Sequence, residues 1–86
     1  MFPQDPTANI NAAAIELEQG NLNGAVRFLQ KSSQDEGATL NNYGVLKLLQ
    51  GDLDAAESYF RKAQQAGIEE AAANLLEVEK KRKDFE

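Results

Sequence analysis

The sequence predicts an all-α fold built from stacked helical hairpins, and an internal repeat is the main observation behind this prediction. Residues 19–25 (QGNLNGA) recur as residues 50–56 (QGDLDAA), 31 positions later. A recurrence at about this spacing is typical of repeat proteins whose unit is a pair of helices. Because such a unit cannot bury its apolar face alone, it stacks on a neighbour, and its natural output is a surface rather than a catalytic pocket.

The same offset extends well beyond the recurring segment. Residue class and position are kept in pairs along both units: Asn11 with Asn42, Ile15 with Leu46, Leu17 with Leu48, Phe28 with Tyr59, Leu29 with Phe60, Lys31 with Lys62, and Gln34 with Gln65. The pattern predicts a single domain, residues 1–86, that comprises a first unit at about 7–37, a second at about 38–68 and a capping helix at about 69–83.

The first unit is predicted to hold two helices. The first enters through Pro6 and Thr7, which suit the start of a helix, and runs to about Gln19, where Gly20 ends it. Asn21 opens the second helix, which fades through the polar residues 32–36. Apolar side chains recur at helical spacing in both helices: Ile10, Ala13, Ala14 and Leu17, then Leu22, Ala25, Val26, Phe28 and Leu29.

The second unit repeats this order, and a fifth helix follows it. The third helix, at about 38–50, is stopped by Gly51; Asp52 caps the fourth, which Gly67 ends. The fifth, at about 69–83, begins with acidic residues and ends with basic ones, as the helix dipole favours. Asn74 follows Asn42 by 32 residues, so this helix corresponds to the first half of a third unit, and we expect a polar outer face on it, as on a terminal cap.

Composition excludes several classes of function. The chain has no cysteine and no histidine, so thiol nucleophiles, imidazole bases and the usual zinc ligand sets are absent, and we predict no catalytic residue, metal or cofactor. The net charge of −5 is unevenly spread: residues 1–79 carry 12 acids against 5 bases, whereas residues 80–86 carry four bases against two acids. The acidic body makes nucleic acid a poor partner despite the basic residues 80–83. No apolar run approaches the ~20 residues that cross a bilayer, so membrane insertion is not expected. Residues 1–6 lack the features of a secretion signal.

The second unit resembles the tetratricopeptide repeat. Large, small and turn residues stand where that family places them: Leu40, Tyr43, Gly44, Gly51, Asp52, Ala56, Phe60 and Ala63. The stretch 62–71, with Asn74 and Leu75 after it, is similar to the Sel1-type variant. The first unit matches less well and is three residues shorter than the usual ~34. The resemblance implies a short right-handed superhelix and a noncatalytic role in protein–protein interaction.

In this family, partners lie in a concave groove lined by the first helix of each unit. Carried over to this sequence, the groove residues are Ile10, Ala14, Leu17 and Glu18 from the first helix, Asn41, Asn42, Val45, Leu48 and Leu49 from the third, and Ala73, Glu77 and Lys80 from the fifth. The mostly apolar lining suits an amphipathic peptide or a neighbouring domain. Two alternatives stand beside this hypothesis. In the first alternative, these side chains belong to the core and are covered in part by Phe2. In the second, the chain is a structural spacer, and the same apolar side chains pack on a flanking domain or on a second copy in a weak homodimer.

Other polar patterns favour structural interpretations. The family's carboxylate clamp would place donors at Ile10 and Ala14, which cannot donate, so we predict no binding of an acidic chain-terminal peptide. The in-register Asn11, Asn42 and Asn74 are expected to bond neighbouring protein groups. The basic residues 80–83 are expected to be solvated at a helix end. The same is expected of three acidic pairs on helix starts and exposed faces: Asp52 with Asp54, Glu69 with Glu70, and Glu77 with Glu79. Repeats of this kind occur both in the cytoplasm and in larger bacterial envelope proteins, so both compartments stay open.

Overall fold

The computed structural model describes the backbone of residues 6–31 and 37–84, and the side chains of residues 11–31 and 37–84. Within these ranges the chain forms five α-helices and no strand: α1 (Pro6–Glu18), α2 (Leu22–Gln30), α3 (Gly37–Leu49), α4 (Leu53–Gln65) and α5 (Glu70–Asp84). The predicted all-α class is confirmed, and α3 and α5 each lie one residue from their predicted bounds. The expectations for Phe2 and for residues 32–36 fall outside the described residues.

The two turns inside the hairpins have the same backbone geometry at the 31-residue offset. Gly20 and Gly51 have φ of 76° and 83°, in the left-handed region that glycine enters without a Cβ clash. The next residues, Asn21 and Asp52, each donate the backbone N–H to the carbonyl five positions earlier, at 2.8 and 2.9 Å. This is the Schellman arrangement, which satisfies carbonyls at the end of a helix.

The same two residues also begin the following helix. The side-chain oxygen of Asn21 accepts from Gly24 N, and that of Asp52 accepts from Ala55 N, both at 3.2 Å. Each residue therefore closes one helix and caps the next. This double role makes the hairpin turns short, and it explains why an amide or a carboxylate stands at that position in both units.

The helices are arranged around α3. α3 packs against each of the other four helices, whereas α1 contacts only α2 and α3, and α5 contacts only α3 and α4. α1, α3 and α5 therefore lie side by side in that order as one layer. α2 and α4 both lie on one face of this layer. Within the described ranges, α2 and α4 do not approach each other closely.

Two apolar clusters hold these helices together. The first is centred between α1, α2 and α3 and the second between α3, α4 and α5; Val45 of α3 packs on both. Residues at the 31-residue offset are buried alike in the two clusters: Ala25 and Leu29 of α2, and Ala56 and Phe60 of α4, are all fully buried. Burying such side chains is the main favourable contribution to the stability of a domain this small.

The contact between α3 and α4 depends on a missing side chain. Gly44 lies against the Phe60 ring so closely that a Cβ at this position would overlap three of the ring carbons. In the first unit the equivalent positions hold Ala13 and Leu29, which are both fully buried in one cluster. The second unit thus pairs glycine on its first helix with phenylalanine on its second, whereas the first unit pairs alanine with leucine.

Each end of the stack exposes a large apolar side chain at a position whose equivalent in the middle of the stack is buried. Ile15 of α1 is 54% exposed, whereas its equivalent Leu46 is 3% exposed because α3 has a unit packed ahead of it. Leu76 of α5 is 65% exposed, although Gly44, 32 residues earlier, is buried under Phe60. The expectation of a polar outer face on α5 is therefore wrong at Leu76.

Candidate interaction surface

The predicted groove residues lie on α1, α3 and α5, the three helices of one layer. On α3, Asn41, Val45 and Leu48 are half-buried, and Leu49 is 50% exposed. The neighbouring helices add the half-buried Ala14 and the exposed Glu18 and Glu77. The open part of this surface is therefore centred on the last two turns of α3.

Three of the predicted residues do not belong to the open surface that the structure describes. Leu17 is 6% exposed and packs in the first core cluster, and Asn42 is 9% exposed. Neighbouring helices enclose the side chains of Leu17 and Asn42. For these two residues the structure agrees with the alternative that the predicted groove positions are core. Ile10 lies within α1, but its side chain is outside the described residues.

A side-chain hydrogen bond ties α5 to α3 beside this surface. The amide nitrogen of Asn74 donates to the side-chain oxygen of Asn41 at 3.0 Å, in a partly buried position. Asn74 was expected to bond a neighbouring protein group, and it does so; its partner is Asn41 rather than the in-register Asn42. A partly buried amide pair of this kind sets the register of two helices, because an unpaired amide there would lose its hydrogen bond.

The rim of the surface carries exposed charge. Glu18 stands at the end of α1 and Glu77 on α5, with the exposed Lys80 one turn further along α5. The apolar side chains of Leu48 and Leu49 lie between these helices. Such a surface offers apolar contact at its centre, and two carboxylates and one ammonium group at its edges.

An ion-pair cluster joins the far end of α5 to the start of α4. The guanidinium of Arg82 lies 2.7 Å from an Asp54 oxygen and 3.0 Å from a Glu57 oxygen, and Arg61 lies 2.7 Å from the other Glu57 oxygen. These contacts, first among them the hydrogen bond to Asp54, raise the pKa of Arg82 above its ordinary value. Residues 80–83 were expected to be solvated; Arg82 keeps 37% of its side chain exposed and forms these ion pairs as well. These ion pairs could have been predicted from the antiparallel order of α4 and α5, because it brings acids near the start of α4 close to bases in the last turn of α5.

Aromatic contacts line the α3–α4 hairpin. The rings of Tyr43 and Tyr59 stack with centroids 5.4 Å apart and an interplanar angle of 20°. Burial and the neighbouring Tyr59 raise the pKa of Tyr43 above its usual value of 10.0. Lys62 Nζ lies 5.9 Å from the Tyr59 ring centre, a cation–π distance. The equivalent pair in the first unit, Lys31 and Phe28, is separated by 6.0 Å, so the repeat extends to this contact.

Two clefts flank α5. One, of about 390 Å³, lies between α4 and α5, where Glu57 and Arg61 face Leu75, Leu76 and Glu79. The other, of about 260 Å³, lies at the α4–α5 turn. Neither includes a predicted groove residue. In the part of the chain that the structure describes, no three acidic side chains come close enough to hold a metal ion, and no helix has the length and apolar character to cross a bilayer.

Comparison of this chain with protein-family models, with curated proteins and with solved structures finds no match in any of the three.

Proposed function

We propose that this chain is a noncatalytic protein-interaction module that binds an amphipathic peptide segment on the α1–α3–α5 layer. The observation that carries the proposal is the position of Leu49. It is 50% exposed at the end of the helix that contacts all the others, next to the half-buried Val45 and Leu48. An exposed leucine beside partly covered apolar side chains gives a partner a continuous apolar contact.

The arrangement of helices supports a groove at this place. α1 and α5 both pack on α3, whereas α2 and α4 on the other side are apart. Helices that are closer on one side of a stack than on the other curve it toward the closer side. The resemblance to tetratricopeptide repeats, which bind partners on that side, points the same way.

The charges at the rim favour one kind of peptide. Glu18 and Glu77 border the apolar centre, so a helix or extended segment with two or three apolar side chains flanked by basic ones is complementary. A partner with a free terminal carboxylate and acidic side chains would meet like charge there. The whole chain is acidic as well, with a net charge of −5.

The test is peptide selection followed by affinity measurement with matched variants. Random peptides displayed on phage are selected on the unaltered chain, and the selected sequences are synthesised and titrated. We expect them to bind at least about tenfold more weakly to Leu49→Asp, since a charge would enter the apolar contact. An acidic peptide with a free carboxyl end serves as the negative probe.

Ile15→Asp is the matched control. Ile15 is as exposed as Leu49 and receives the same charge, but it lies about 100° around α1 from Ala14. Circular dichroism and thermal unfolding establish that both variants fold. Peptides that bind equally to the chain and to Leu49→Asp, or that lose affinity equally for both variants, would contradict the proposal, as would a selection that yields no binder.

A further inference from the structure

An exposed face of α5, at the edge of the α4–α5 cleft, has no helix packed on it in the described part of the chain. In the second unit, α4 covers the corresponding face of α3, where Gly44 lies under Phe60. Leu76, the equivalent of Gly44 at an offset of 32 residues, is instead 65% exposed. It is the most exposed of the large apolar side chains in the described ranges.

A single stripe of exposed residues runs along α5 through Leu76. At about 100° per residue, three other positions of α5 fall within about 40° of it. Glu69, in the turn just before the helix, extends the stripe, and its carbonyl accepts from Ala72 N at 3.1 Å. The stripe reads, in chain order, Glu69, Ala72, Leu76, Lys80 and Lys83, and all five are exposed. An acid stands at its start, apolar residues at its centre and bases at its end.

This order of charges is complementary to itself in one orientation only. Two such stripes laid antiparallel and centred on Leu76 place Glu69 of each copy opposite Lys83 of the other, since both lie seven residues from the centre. Lys80 then faces Ala72, four residues on the other side. A parallel pair would instead set Glu69 against Glu69 and Lys83 against Lys83, which is repulsive.

We propose that a second copy of this chain occupies this face, so that two α5 helices pack antiparallel about a two-fold axis at Leu76. The contact is isologous: each copy contributes the same stripe, and each Glu69–Lys83 pair forms twice. Ala72 is small enough for the two helices to approach closely. The second copy takes the position on α5 that α4 takes on α3.

This interface has a different centre from the surface of the proposed function. The stripe lies on α5 and the turn before it, whereas the peptide surface is centred on α3, and the two share only Lys80 at the rim. Different side chains test the two, Leu76 for the dimer and Leu49 for the peptide, so one proposal can fail while the other stands.

The first measurement is sedimentation equilibrium from micromolar to about millimolar concentration at low salt. We expect a reversible monomer–dimer equilibrium for the unaltered chain and for Leu49→Asp. Leu76→Glu should be monomeric throughout, with unchanged circular dichroism because the replaced side chain is largely exposed. A chain that stays monomeric over the whole range would overturn the proposal, and so would a dimer that persists in Leu76→Glu.

Charge exchange tests the antiparallel orientation without altering the apolar centre. Lys83→Glu should weaken dimerisation roughly tenfold at low salt, because two attractive pairs become repulsive. Glu69→Lys should act in the same way, and the double variant should regain most of the lost affinity. Lys81→Glu, which makes the same charge change about 140° from Leu76, should have little effect.

Two results in this series count against the interface. If the double variant loses as much dimerisation affinity as the two single variants lose together, Glu69 and Lys83 do not face each other across the interface. If the chain forms species larger than dimers that Ile15→Asp reduces, the ends of the stack associate head to tail instead.

Discussion

Replacing Gly44 by alanine measures how closely α3 and α4 approach. Alanine gains about 1 kcal/mol over glycine inside a helix. Its methyl group, however, would overlap the Phe60 ring, which is fully buried and cannot turn aside. Overpacking of this kind costs about 1–3 kcal/mol. We therefore expect a net loss of up to about 2 kcal/mol. That is a large part of the stability of a chain of this size, where totals are roughly 4–13 kcal/mol.

The first unit supplies the compensating change. Its equivalent positions hold Ala13 and Leu29, so Gly44→Ala combined with Phe60→Leu rebuilds that pair in the second unit. Phe60→Leu alone should cost about 1 kcal/mol. Because the two changes relieve each other, the double variant should lie within about 1 kcal/mol of the unaltered chain.

Urea unfolding followed by circular dichroism gives all four free energies, and each 1 kcal/mol lost should also lower Tm by about 4–8 °C. Gly24→Ala is the control, since its Cβ would meet only the ends of the Glu16 and Asn21 side chains, and its equivalent Ala55 already stands beside the capping Asp52. We expect that variant to be slightly more stable than the unaltered chain. Two independent losses that simply add in the double variant would refute the packing argument, as would a stabilising Gly44→Ala.

Three further predictions concern the hairpin and the ion pairs. Asp52→Ala should cost about 1 kcal/mol in urea unfolding because it removes a helix cap, whereas Asp52→Asn, which matches the first unit, should change little. Because burial raises the pKa of Tyr43, the contribution of this side chain to stability should be constant below pH about 10 and be lost as pH rises above it; Tyr43→Phe should lessen the fall in stability between pH 9 and 11. Arg82→Gln should lower Tm slightly at low salt, and about 1 M NaCl should remove the difference.

Local chemistry made the turns predictable from sequence. Glycine followed by asparagine or aspartate ends one helix and caps the next through bonds within six residues, so no distant part of the chain decides the outcome. The 31-residue offset then fixes which helices are equivalent, and the all-α class follows.

Exposure along each helix was harder to predict. Leu75 and Leu76 are both apolar, and only the placement of α4 against α5 determines that Leu75 is half-buried while Leu76 is exposed. Leu17 was assigned to the groove by its position in the repeat, but it packs in the core cluster that also includes residues of α2 and α3. The Arg82 contacts join residues 25 and 28 positions apart, so they depend on how two helices dock and no short motif encodes them.

The central position of α3 has a kinetic consequence. Among the helices that the structure describes, none touches another more than two places away along the chain. No contact between the described helices therefore spans more than one intervening helix, which limits the loop-closure entropy lost before packing begins. Helical domains with such local contacts fold in microseconds to milliseconds. A stopped-flow instrument should find this chain folded within its dead time or shortly after it.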